Sequence, residues 1–285
     1  MKEQPFSTIC LQSWQEFKDY IGIFNENWAF RGQGHSGWIL NTAIERTNFI
    51  NYHHAIEAEF VAEFQRGARN YLSKDDTPQH LIEWLALMQH HGAPTRLLDL
   101  TKSPFIAAYF AFEFSPVHQD HSIGIWGINV NYLKHRAIEF LSEEFGEALT
   151  KNKNLINEQL FEKLFYENNK NLVFPVEPFS MNRRYSIQQS IFLSTGTSHE
   201  TFMNQLQFLG EDLEKTVVKM ILPGCHRREV MRDLQQMNLH RASLFPDLDG
   251  YALSLRLRYD NMKSPWEKKE EEELKSKSQE YPFFP

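Results

Sequence analysis

Apolar positions along the chain fall into short amphipathic pieces separated by glycine, proline and small polar residues. Ser13 opens a Ser-Trp-Gln-Glu capping pattern, and Phe17, Tyr20, Ile21 and Phe24 then share one face at helical spacing, so residues 1–24 carry a docking helix. Trp28-Ala-Phe30-Arg31 reads as a short strand that ends at the turn Gly32-Gln33-Gly34-His-Ser-Gly37. Trp38-Ile-Leu40 follows as a second strand, which makes a hairpin the expectation. Ile56, Phe60 and Phe64 mark a helix within residues 54–72, and Leu81, Trp84, Leu85 and Met88 mark another within residues 79–91. Gly92-Ala-Pro94 must stop that second helix, because glycine suits the C′ position and proline blocks continuation.

Thr95 to Leu100 is then extended, and Ser103-Pro104 restarts a helix with serine as its cap and proline in its first turn. That helix, Phe105 to Phe114, is apolar on nearly all sides, so Phe105, Ile106, Tyr109 and Phe110 are expected in the core. Strands are predicted over residues 122–130, 186–194 and 217–222, and helices over 138–166 and 228–237. Residues 251–258 fit either element. From residue 263 onward the chain is a charge run, WEKKEEEELKSKSQEYPFFP in its later part, which reads as a disordered tail. The fold class this implies is α+β, a single domain over residues 25–262 with a central mixed or antiparallel sheet flanked by helices.

Composition narrows the class. Hydrophobic residues make up 41% of the 285 and 23 are phenylalanine, enough to fill one large core. The formal net charge of −7 disfavours nucleic acid as a partner. Cys10 and Cys225 lack metal-ligand spacing, and no basic n-region or long apolar run occurs, so a cytoplasmic protein without membrane association is expected.

Candidate chemistry is sparse. Gly32-x-Gly34-x-x-Gly37 matches the dinucleotide fingerprint, but Trp38-Ile39-Leu40 follows where a helix should open on the pyrophosphate, so a glycine-permitted turn is the better reading. His90 and His91 are adjacent and point about 100° apart on a helix, so they cannot chelate one metal, and no metal is expected. No nucleophile elbow, P-loop or cysteine-protease signature occurs. Arg96 and Asp99 stand within an otherwise apolar strand. Either charge buried alone would cost several kcal/mol, so each needs a partner: the other, Arg31, Glu45, or a ligand.

Phe30-Arg31-Gly32-Gln33, Gln89-His90-His91-Gly92 to Asp99, Ala107 to Ala111, Arg184 to Phe192 and Phe245 to Gly250 together resemble the FRG domain family, from residue 25 to residue 255. The layout also looks, more distantly, like the order of motifs in ADP-ribosyltransferase folds. That likeness implies NAD as substrate and an NAD-consuming transferase or glycohydrolase, of the kind found among toxins and antiphage effectors. Arg31 would grip a phosphate, with Gly32, Gln33, Arg96, Asp99 and Ser103 around the nucleotide. Thr101 would buttress the pocket, and Gln189, on the strand of residues 186–194, would stand at the ribose, with any missing carboxylate coming from Glu200, Asp247 or Asp249. A neutral amide stabilises oxocarbenium-like charge far less than a carboxylate does. The alternatives are a non-catalytic ligand-sensing or protein-interaction module and a nucleic-acid-directed effector. Phe245-Pro-Asp-Leu-Asp-Gly250 reads as a turn.

Overall fold

The computed structural model describes residues 6–47, 56–113, 115, 121–145, 158–177 and 183–260; the predicted tail lies outside them. The chain opens with strand β1 (Ser7–Cys10), helix α1 (Trp14–Tyr20) and strand β2 (Trp28–Gln33). Three helices follow, α2 (Ala43–Arg46), α3 (Ile56–Ala68) and α4 (Leu81–His90), before β3 (Leu97–Thr101) and α5 (Pro104–Glu113). Next come β4 (Ser122–Asn129), α6 (Val130–Phe145), α7 (Glu158–Glu167), β5 (Val173–Val176), α8 (Arg183–Ile187) and β6 (Ser190–Thr195). The last elements are α9 (Phe202–Gln205), α10 (Leu213–Thr216), β7 (Val217–Pro223), α11 (Arg227–Gln236), α12 (Arg241–Leu244) and α13 (Leu248–Asp260). Among the described residues no helix is long and apolar enough to cross a membrane.

The strands form one mixed seven-stranded sheet in the order β1-β7-β4-β2-β3-β6-β5, so the fold is α+β as predicted. β1 runs parallel to β7 and every other pairing is antiparallel. Strand alternation divides the core between the two faces. Phe30, Ile123, Ile125, Met220 and Leu222 point to the face covered by α1, α5 and α11, and Leu97, Phe174 and Phe192 pack with α3, α4 and α7. Ala29, Leu98, Leu100, Trp126, Ile128 and Leu193 line the opposite face beneath the chain of residues 202–213.

Local signals place most of the helices. Ser13 accepts the Glu16 amide at 3.1 Å and the Glu16 carboxylate accepts the Gln12 amide at 2.7 Å, which fixes the start of α1. Gly92 ends α4 at φ 82°, while its amide reaches Gln89 O and that of Ala93 reaches Met88 O, a Schellman closure. Ser103 Oγ accepts the Ile106 amide at 3.3 Å and starts α5. Ile106 and Tyr109 of α5 are buried, whereas Phe105 and Phe110 keep part of their surface in solvent.

Four expectations are corrected. Residues 38–40 form no strand and no hairpin; β2 pairs instead with β4 along its whole length, Trp28 with Asn129 through Gln33 with Gly124. Gly32 lies inside β2, not in a turn: a Cβ there would sit 1.8 Å from Ala107 O, so its role is to let α5 lie directly on the strand. Residues 183–187 are helical and β6 begins only at Ser190, so Gln188 and Gln189 occupy the intervening turn, with Gln189 at φ 50°. The turn read over residues 245–250 gives way to helix α13 at Leu248, with Asp247 Oδ1 accepting the Gly250 amide at 2.6 Å at its start, and residues 251–258, which fitted either element, are helical. The sequence also gave no sign of β1, which joins the sheet only through β7.

Candidate functional site

The sheet opens between β2 and β3. Only Phe30 and Thr101 are in register there, although β3 is fully paired with β6 on its other side. Along the rest of that edge, side chains replace ladder partners. Arg31 Nη1 donates to Asp99 O at 2.6 Å, Gln89 Nε2 donates to Leu97 O at 3.3 Å, and the Leu97 amide donates to Thr95 Oγ1 at 3.2 Å. Gln89 Nε2 also reaches Asp99 Oδ2 at 2.7 Å, and Thr95 Oγ1 donates to Gln89 Oε1 at 2.5 Å.

Strand parity puts Arg31 with Ala29 and Gln33 on the face of residues 38–46, while Asp99 leaves the opposite face with Leu97. Arg31 thus lines a cleft of about 720 Å³ together with Gly34, Trp38, Ile39, Asn41 and Arg46. Its guanidinium is half-buried and its Nε is buried with no hydrogen-bond partner among the described residues. Burial lowers the Arg31 pKa, the Asp99 charge counters that, and Arg46 adds to it. No carboxylate is among the described residues that line the cleft.

Short-range bonds hold the second cation. Thr42 and Glu45 form a reciprocal capping box at the start of α2, the Ile44 amide bonds to Thr95 O, and Glu45 Oε2 also accepts the Phe202 amide at 3.0 Å. Burial raises the Glu45 pKa against those bonds. Arg46 at the end of this turn is exposed and donates from Nη1 to Asn41 O at 2.9 Å.

The other site residues read from the sequence separate into three places. Asp99 and Thr101 lie along β3 beside Arg31; Thr101 is buried, with Oγ1 donating to Gln188 O at 2.7 Å and accepting the Ser103 amide at 3.1 Å. Gln189 is close to Thr101 in the chain path, since its carbonyl accepts the Lys102 amide, but its side chain is exposed and does not line the cleft. Gln33 is buried, bridging Trp126 Nε1 at 2.8 Å and Ile39 O at 3.0 Å.

Arg96 stands apart at the far end of β3, 1% exposed. Its partner is not Asp99, Arg31 or Glu45 but Glu57 of α3, whose Oε2 lies 2.7 Å from both Nε and Nη2 and whose Oε1 accepts the Arg96 amide at 2.9 Å. Asn168 Oδ1 accepts from Nη2 at 3.1 Å, and the Phe165 ring lies 4.3 Å from Cζ. None of Glu200, Asp247 or Asp249 lines the cleft.

Sequence reading missed Arg46, Asn41 and Trp38 as cleft residues. The Thr42–Glu45 capping box was the available signal for Arg46, since it fixes the turn on which that residue sits. Sequence reading named Arg184 only within a motif and gave it no role; its Nε is buried without a partner among the described residues, and its Cζ lies 4.3 Å from the Phe245 ring. Among the described residues no group of three or more His, Cys, Asp and Glu is arranged to hold a metal ion.

No curated protein and no solved structure matches the chain. Residues 26–120, which hold β2, the cleft segment, α2 and β3 through α5, match the FRG domain model, and the Arg31 cleft lies inside that stretch.

Proposed function

We propose that the cleft binds the phosphate of a nucleotide-like ligand, with NAD the first compound to test. The observation that supports this reading is Arg31: a half-buried guanidinium with an unpartnered Nε, facing a cleft it shares with Arg46 and with no carboxylate among the described lining residues. A desolvated cation of this kind is costly unless an anion completes it, and the planar fork suits a phosphate oxygen pair. A cleft of about 720 Å³ is within the range that encloses small ligands.

Binding has more support than turnover. NAD cleavage would need negative charge against an oxocarbenium-like centre, and the exposed Gln189 amide offers little of it. Calorimetry with NAD, ADP-ribose and ATP tests the reading, alongside a fluorimetric assay of NAD consumption. Arg31→Lys keeps a donor for Asp99 O but loses the fork, and a charge-assisted contact contributes about 1.5–3 kcal/mol, so affinity should fall about tenfold or more. Wild-type protein that binds none of the three below millimolar concentration overturns the proposal.

A further inference from the structure

We infer that Trp38 and Ile39 form a fixed platform for the nucleobase of the same ligand, an inference that rests on the phosphate reading above. Both side chains are exposed at the cleft, Trp38 by 55% and Ile39 by 46%. Exposed apolar residues are ordinary when scattered and mobile. These two are adjacent and border one cleft.

Their backbone is bolted to the sheet from beneath. Lys219 Nζ of β7 donates to Trp38 O at 2.8 Å, and Gln33 Nε2 of β2 donates to Ile39 O at 3.0 Å. Both anchoring side chains are themselves buried, Lys219 at 4% exposed with its ammonium 4.5 Å from the Trp126 ring, and Gln33 with its Oε1 accepting Trp126 Nε1. The Trp38 amide bonds to His35 O at 3.2 Å, and the His35 and Trp38 rings lie 6.0 Å apart. Two successive carbonyls are therefore held by buried long polar side chains while the apolar groups between them face outward. Burial lowers the Lys219 pKa, a cost that a merely decorative surface loop would not require.

The platform borders the same cleft as Arg31 and Arg46, so it sets an exposed indole beside two cations. A purine joined to phosphate through ribose presents the complementary pair, and base stacking on an aromatic side chain is tolerant of base identity. Proteins that stack a base in this way gain most from a ring held rigid before the ligand arrives.

The experiment compares pyrophosphate, ribose 5-phosphate, ADP-ribose and adenosine on wild type, Trp38→Ala and Trp38→Phe, with melting temperatures confirming that each variant folds. The platform predicts that Trp38→Ala weakens ADP-ribose about tenfold or more, that Trp38→Phe keeps most of the affinity, and that pyrophosphate binds all three alike. If ADP-ribose binds Trp38→Ala as tightly as wild type while pyrophosphate still binds through Arg31, the platform is overturned and the phosphate reading stands. If pyrophosphate and ribose 5-phosphate bind nothing, the phosphate reading falls, and the platform is judged on adenosine: a shifted Trp38 indole NMR resonance upholds it, and an unshifted one overturns it.

Discussion

Arg31 Nη1 donates to the backbone carbonyl of Asp99 at 2.6 Å, so a side chain of β2 takes the place of a ladder hydrogen bond where the sheet opens. One residue therefore both closes an orphaned strand edge and faces a cleft. Removing it takes this donor from the Asp99 carbonyl, at a cost of about 1–3 kcal/mol. Arg31→Ala should lower the free energy of unfolding by that amount in urea titrations, and Arg31→Lys should lower it by less. Equal stability of wild type and Arg31→Ala would mean that water replaces the guanidinium without loss.

The Arg96–Glu57 pair lies in the core, with both side chains 2% exposed. Breaking such a pair leaves a buried charge, so Arg96→Met and Glu57→Leu alone should each destabilise the protein by about 3–5 kcal/mol, whereas the double substitution should cost less than either. A double-mutant cycle in guanidinium chloride measures this. Additive losses would show that the two side chains act independently.

Arg184 has the opposite balance. Among the described residues its buried Nε has no partner, and its pKa is lowered by burial, with Tyr185, Asp99 and Asp247 countering and Arg241 adding to the effect. Relief of an unsatisfied donor gains about 1–3 kcal/mol and loss of the stacking on Phe245 costs about 0.5–1 kcal/mol. Arg184→Met should therefore raise stability by about 1 kcal/mol, read as a higher denaturation midpoint at unchanged slope. A lower midpoint would assign Arg184 a stabilising contact.

Burial, followed by the charges of Arg184 and His91, holds the His90 pKa below 6.5, against a weaker opposing effect of Asp247. The unfolded chain then takes up a proton at a higher pH than the folded one does. Stability from this group is complete above pH 6.5 and is lost as pH falls from there through the folded-state pKa. His90→Gln should flatten the decline in unfolding free energy as pH falls below 6.5. An identical pH profile in the variant would remove His90 as its cause.

Helix limits were legible in the sequence because capping is local: Ser13, Ser103 and Gly92 act within four residues, and the structure places each where those side chains and φ angles require. The α+β class followed from periodicity, and the burial of Ile106 and Tyr109 followed from a segment apolar on nearly all sides, although Phe105 and Phe110 keep part of their surface in solvent. What the chain could not reveal by itself was every pairing between distant residues. No local pattern ties Glu57 to Arg96; the packing of α3 on the sheet brings the two together across 39 positions. Trp38 to Leu40 has the composition of a strand, yet its carbonyls find Lys219 and Gln33 side chains, so no partner strand forms. Gln189 looked like a strand residue, but the left-handed φ of 50° turns the chain into β6 and leaves its side chain in solvent. The sequence determined where α1 and α5 start and where α4 stops, and that charges in the β3 segment needed partners. Only tertiary packing decided where the sheet opens, because that depends on which strand edges are left without a neighbour.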